Sequence, residues 1–175
     1  MTAPTALLLI DAQVNMFDPA HPVHGAGELL PRLQELLARF RAVGAPVVFV
    51  RNCGGAGDPD VPGTPGWQLH PRLAPAEGDP VLDKTTCDTF ASTPLAESLQ
   101  SRGVTRVVIA GLQSEYCIRE TTLGALGRGF EVTLVSDGHS TYAGGGRTAE
   151  AISAAVNAEL DGRVLLLRAD EISAP

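Results

Sequence analysis

The sequence predicts an α/β protein, a mostly parallel six-stranded sheet with helices on both faces. Three observations carry this. Strand-length apolar runs alternate along the chain with segments whose apolar residues recur at helical spacing, the order that builds parallel sheets from crossover units. The apolar runs, among them ALLLI at 6–10, VVFV at 47–50 and VVI at 107–109, are continuous rather than alternating, as befits strands buried on both faces. Glycine or proline falls where the helical patterns stop, as at Gly44, Pro46 and Gly103.

The elements follow in order. The run 6–11 is a buried strand with Asp11 at its C-terminal end, and residues 12–27, containing Asn15, Pro19, Pro22, Gly25 and Gly27, form a loop long enough to shape a site. Leu29, Leu33, Leu36, Leu37 and Phe40 mark the first helix, and residues 47–50 the second strand. Residues 52–79 are rich in Gly, Pro and Asp and carry the single tryptophan, Trp67; inside an α/β pattern this reads as a surface or active-site excursion. A short third strand, 81–83, delivers Lys84 at its end. Thr93 and Pro94 cap and open a short helix that closes at Gly103. The fourth strand is 107–109 and the fifth 132–135, with Asp137 following. Gly144-Gly145-Gly146 opens a last helix carrying Ala149, Ile152, Val156 and Leu160, and 164–167 is the sixth strand.

Composition narrows the class. The 175 residues fit one domain, 1–175, and a hydrophobic content of 44% is enough for a full core. A net charge of −7 argues against a nucleic-acid partner, whose footprint is a basic patch. No apolar run approaches the roughly 20 residues of a membrane span. The opening MTAPTA has no basic segment or cleavage site, so a cytoplasmic protein is expected. Cys53, Cys87 and Cys117 are odd in number and scattered, and read as free thiols.

The chemistry concentrates around Cys117, in VVIAGLQSEYCIRETT at 107–122. A strand ends, a glycine turns the chain, a polar loop follows, and Ile118, Thr121, Thr122, Ala125 and Leu126 begin a helical face. A cysteine at such a junction meets backbone N–H groups and the positive end of the helix dipole, which favour the thiolate. Right-handed crossovers place every strand's C-terminal end on one edge, where ligands bind near the point at which strand order reverses. Asp11, Lys84 and Cys117 each follow a different strand at that edge. An acid, an amine and a thiol have complementary roles there: a base for the thiol, a positive charge, and a nucleophile for a carbonyl. Each also has a plain reading, as a turn cap, a surface charge and a buried structural cysteine.

These residues resemble the motifs of the isochorismatase-like cysteine hydrolases. Leu8-Leu9-Ile10-Asp11-Ala12-Gln13 with Phe17 resembles the first motif, Asp83-Lys84 with Phe90 the second, and residues 111–121 the nucleophile loop. Asp137-Gly138-His139-Ser140-Thr141 resembles the segment after the fifth strand. The resemblance implies a three-layer α-β-α sandwich with strand order 3-2-1-4-5-6 and an Asp-Lys-Cys triad at Asp11, Lys84 and Cys117. It also implies a non-proline cis peptide at Leu112–Gln113 and an oxyanion hole from the N–H groups of Gln113 and Cys117. A homo-oligomer, at least a dimer, acting on a small molecule is expected.

Two departures bear on function. Nicotinamidases of this group carry an Asp-x-His metal motif after the second strand; here that place reads Arg51-Asn52-Cys53-Gly54, so no metal and no other cofactor is expected. The isochorismatases proper cleave a vinyl ether without a cysteine nucleophile, whereas Cys117 favours acyl transfer through a thioester. The QSEYC loop resembles a branch that includes enzymes acting on amides such as the streptothricin lactam. The expectation is hydrolysis of an amide-type C–N bond, with vinyl-ether hydrolysis as the alternative. Phe17, Trp67, Phe90, Tyr116 and Tyr142 fall in loops near the motifs and are candidate pocket walls. Two other classes remain. A thiol redox or ligand-binding protein would want a nearby resolving cysteine, and no C-x-x-C pair is present. A dinucleotide binder would want G-x-G-x-x-G after the first strand, where the chain reads Ala12-Gln13-Val14-Asn15.

Overall fold

In the computed structural model, which describes residues 4–173, six strands form one sheet in the order β3-β2-β1-β4-β5-β6. The strands are β1 (Thr5–Ile10), β2 (Val47–Asn52), β3 (Val81–Lys84), β4 (Arg106–Leu112), β5 (Glu131–Ser140) and β6 (Leu165–Leu167). Every pairing between them is parallel, so the sheet is wholly rather than mostly parallel. The N-terminal expectation about Met1, Thr2 and Ala3 lies outside the described residues. Among the described residues no helix is long and apolar enough to cross a membrane.

The sheet divides the core into two apolar clusters, and β1 shows how. Leu7 and Leu9 face one side and Leu8 and Ile10 the other, the two-residue alternation of a strand, and all four are fully buried. The first cluster is closed by α1 (Ala26–Ala42), whose Leu29, Leu33, Leu36, Leu37 and Phe40 return at helical spacing. The opposite cluster takes α2 (Thr89–Ser92), α3 (Leu95–Ser101), α4 (Arg119–Gly127) and α5 (Ala149–Leu160). This is a three-layer sandwich.

Some boundaries differ from the sequence reading. Asp88, not Thr93, begins the helical segment after β3: its carboxylate accepts the Phe90 N–H at 2.9 Å and starts α2. The glycine run 144–146 makes a tight turn, and α5 is opened instead by Thr148, whose hydroxyl accepts the Ala151 N–H at 3.2 Å. Residues 52–79 hold only two short 3-10 turns, Pro65–Trp67 and Pro71–Leu73. They are nevertheless tied down, because the fully buried Gln13 donates to the carbonyls of Asn52 (3.1 Å) and Trp67 (2.9 Å) and accepts the Asn52 N–H (2.8 Å).

Strand order reverses between β1 and β4, and the backbone there is unusual on both sides. Asp11, just past β1, has φ of 49°, a left-handed conformation that aspartate tolerates better than most residues. Gly111 on β4 has φ of 130°, and a Cβ there would stand 2.0 Å from the Ile10 carbonyl oxygen. Only glycine lets the two strand ends lie this close. The Leu112–Gln113 peptide that follows is cis, at the bond the motif resemblance indicates.

Candidate active site

Three strand ends meet at this reversal. Asp11 follows β1, Lys84 ends β3, and Cys117 lies in a wide helical turn, Ser114–Ile118, between β4 and α4. The turn is pinned by the Gln113 carbonyl, which accepts the N–H groups of Tyr116 (3.3 Å) and Ile118 (3.1 Å). Lys84 reaches across the end of β2, where its backbone pairs with Asn52. Its ammonium has three partners: Asp11 Oδ2 at 2.9 Å, Cys117 Sγ at 3.0 Å and Asn52 Oδ1 at 3.1 Å. All three N–H donors of the amine are therefore spoken for. The structure thus brings Asp11, Lys84 and Cys117 together, with Lys84 at the centre.

The charges are almost wholly withdrawn from water: the Lys84 side chain is 0% exposed and that of Asp11 1%. Burial pushes the Asp11 carboxyl above its ordinary value, against the opposing pull of the Lys84 charge and the neighbouring Cys117 thiol. Burial works against the Lys84 ammonium, but Asp11 and Cys117 outweigh it and hold the amine above its ordinary value. The Cys117 thiol is pushed well up, by burial first and by the Asp11 charge second, with Lys84 only partly compensating. This corrects the sequence expectation of a thiolate favoured by a helix N-terminus. The helix proper begins two residues later, at Arg119, and burial, followed by the carboxylate beside the sulfur, outweighs it. The thiol and the amine are both held toward their protonated forms. Asp11 Oδ1 is buried with no hydrogen-bond partner.

Cys117 and Asp11 line a cavity of about 270 Å³, together with Asn15, Met16, Asn52, Asp58, Pro59, Asp60, Cys87, Gln113 and Tyr116. Of the aromatics expected as walls, only Tyr116 lines it, with 54% of the residue exposed. Phe90 is 5% exposed in the core against Phe130, with ring centroids 5.7 Å apart. Phe17 packs edge-on against His70. Trp67 lies under the Arg51 guanidinium, 3.6 Å from its ring centroid, while Arg51 pairs with Asp83. Tyr142 donates its hydroxyl to the His21 carbonyl at 3.1 Å. Phe17, Trp67 and Tyr142 hold loops in place, Phe90 belongs to the core, and none of the four lines the cavity.

The sequence reading missed two residues beside the cluster. Asn52 bridges it outward, its amide Nδ2 donating to Asp60 Oδ2 at 2.7 Å while Oδ1 takes the Lys84 bond. Its place at the end of β2 was the available signal. Asp60, 6% exposed, arrives from the aperiodic excursion, where no pattern marks it.

Behind the Ser114–Ile118 turn, buried Ser114 joins His139 Nδ1 (2.8 Å) and Ser153 (2.9 Å). His139 Nε2 meets Asn157 Oδ1 at 3.0 Å, and Asn157 Nδ2 donates to the Ser136 carbonyl at 2.9 Å. That arrangement places the imidazole proton on Nε2, so Nδ1 accepts from the Ser114 hydroxyl. Burial holds His139 below its ordinary value and hence neutral, and the hydrogen bonds tie the Ser114–Ile118 turn to β5 and α5.

Fold and site together define a doubly wound α/β protein with a buried acid–amine–thiol cluster at the switch point of its sheet. The chain belongs to the isochorismatase family of hydrolases, whose isochorismatase domain matches residues 5–160. It is 41% identical over 150 residues to a streptothricin hydrolase of Streptomyces noursei, a match covering 81% of this chain and 60% of that one. An N-carbamoylsarcosine amidase of Arthrobacter sp is 27% identical over 71% of this chain and 55% of its own length. The chain thus spans little more than half of these relatives. Among solved structures, an isochorismatase from Pseudomonas putida KT2440 superposes with a TM-score of 0.90 at 27% identity, covering 97% of this chain and 90% of that one.

Proposed function

We propose that this hydrolase cleaves an amide-type C–N bond of a small molecule through a thioester on Cys117. The observation that carries the reading is the placement of Lys84 Nζ, 2.9 Å from Asp11 Oδ2 and 3.0 Å from Cys117 Sγ, beside a cavity that both Asp11 and Cys117 line. Relatives named for hydrolysis of streptothricin and for amidase activity support the bond type.

Asp11 takes the thiol proton on Oδ1 as sulfur attacks the carbonyl carbon, and Lys84 stabilises the thiolate that forms. The oxyanion is assigned to the backbone N–H groups of Gln113 and Cys117. Asp11 then returns its proton to the departing nitrogen, the C–N bond breaks and the thioester remains. Water attacks the thioester with its proton passing to Asp11. Collapse of this second tetrahedral adduct releases the carboxylic acid and the sulfur, which recovers its proton from Asp11.

No step requires a metal. Asn52, which stands where the metal motif of nicotinamidases falls, is engaged by Lys84 and Asp60. Dialysis against EDTA should leave turnover intact.

The test is Cys117→Ala, a small change at a cavity wall. Turnover of an amide substrate should fall by more than about a thousandfold while substrate binding persists. A variant that kept more than about a tenth of the rate would exclude covalent catalysis, since loss of a nucleophile costs far more. Vinyl-ether hydrolysis would then be the better reading.

A further inference from the structure

The cavity is unbalanced in charge. Its lining includes three carboxylates, Asp11, Asp58 and Asp60, and no cationic side chain. Lys84 reaches the site from behind and is matched to Asp11. Asp58 and Asp60 pair with no lysine, arginine or histidine among the described residues, and the nearby Arg51 is taken up by Asp83 and Trp67. Asp58 is exposed at the rim, but Asp60 is 6% exposed. Its neighbour in the structure is an amide, not a cation. One of its oxygens, Oδ2, is held by the Asn52 amide, and no hydrogen bond engages Oδ1.

The chain is shaped to put it there. A Cβ on Gly54 would lie 2.1 Å from Asp60 Oδ1 and 2.7 Å from Asp58 Cβ, so only glycine lets residues 58–60 fold down onto the end of β2. Asp58 Oδ2 accepts the Gly55 N–H at 2.7 Å and fixes the same turn. Asp60 also acts on the Asp11 carboxyl as a like charge, which puts both in one electrostatic field.

We propose that this pocket selects amides carrying a protonated amine or guanidinium, which the Asp60 carboxylate receives, with Asp58 at the rim and the Tyr116 ring as a cation-binding face. The cation supplies the partner that Asp60 lacks. A concave wall of one charge sign also raises the local concentration of such substrates, and an aromatic face adds a cation–π contact. The proposal rests on the amide-hydrolase reading of the same site, and its test separates the two.

Three amides of similar length serve as probes: 5-aminopentanamide, with the cation on the acyl side, N-acetylputrescine, with the cation on the amine side, and neutral hexanamide. Binding to the Cys117→Ala protein is measured by calorimetry, and turnover with the wild type. At least one cationic amide should bind about tenfold or more tightly than hexanamide, the scale of a charge-assisted hydrogen bond. That advantage should shrink as salt rises from 50 to 500 mM, and Asp60→Asn should cut the cationic-to-neutral ratio by a similar factor. The salt series uses no charge variant, so it stands even if Asp60→Asn folds poorly. Equal binding of all three amides, or a preference that salt leaves unchanged, overturns the proposal. Cationic preference in binding without hydrolysis of any amide upholds it and overturns the hydrolase reading. Hydrolysis blind to charge does the reverse.

Discussion

Lys84→Met is the perturbation that most exposes how the cluster is held. The substitution keeps the length of the side chain but removes an ammonium that is 0% exposed, leaving Asp11, 1% exposed, without its positive partner. Breaking a buried pair from one side typically costs about 3–5 kcal/mol, because the remaining charge is stranded. Protonation sets an upper limit on that cost. Starting from the ordinary value of 3.8, neutralising Asp11 costs about 1.4 kcal/mol per pH unit, hence about 6 kcal/mol at pH 8 and about 2 at pH 5. The sign follows from linkage. A carboxyl raised in the folded state destabilises it above the folded pKa, and the penalty fades as pH falls toward the unfolded value. The variant should therefore lose about 3–5 kcal/mol at pH 8 and at most about 2 at pH 5 by urea unfolding. Lys84→Met combined with Asp11→Asn should recover most of the loss, since no charge is then stranded. A loss below about 1 kcal/mol at pH 8, or an equal loss at both pH values, would refute the claim that Lys84 and Asp11 form a buried pair.

Two further outcomes are expected. Because Asp11 must be ionised to take the thiol proton and burial raises it, kcat/KM should rise with pH through a midpoint above 3.8. With both Lys84 and the Cys117 thiol held above their ordinary values, the profile should then stay flat past the ordinary cysteine value of about 8.5; an alkaline fall at that pH in a pH–rate series would contradict it. Gly111→Ala, which drives a Cβ to 2.0 Å from the Ile10 carbonyl, should destabilise several times more than Gly44→Ala. At Gly44 φ is +67° with open space around it, and the cost is about 1 kcal/mol. Equal melting shifts for the two would show that β1 and β4 do not approach as described.

Most of the fold was legible because its signal is local. Continuous apolar runs such as 6–10 and 107–109 can be satisfied only by strands covered on both faces, and helical spacing in 29–40 admits one buried stripe. The meeting of Asp11, Lys84 and Cys117 was legible because strand ends in such a sheet share an edge, so position along the chain translates into position in space. The walls of the cavity were not. Phe90 and Trp67 belong to a core and to a cation–π clamp, choices made by packing between segments distant in sequence. Asp60 reaches the site only because Gly54 lacks a side chain, and nothing periodic announces such a fit. The protonation state of Cys117 was misread for a similar reason. A helix N-terminus is visible in sequence, whereas the burial and the neighbouring carboxylate that outweigh it appear only in three dimensions.

The central claim is that Cys117 forms a covalent acyl intermediate, and rapid-quench intact-mass analysis during turnover of an amide tests it most directly. The wild type should gain the mass of the acyl group, on the peptide containing Cys117, and lose it to hydroxylamine as a thioester does. Cys117→Ala should gain nothing. Turnover with no adduct at any quench time, and equal rates for Cys117→Ala, would contradict the account.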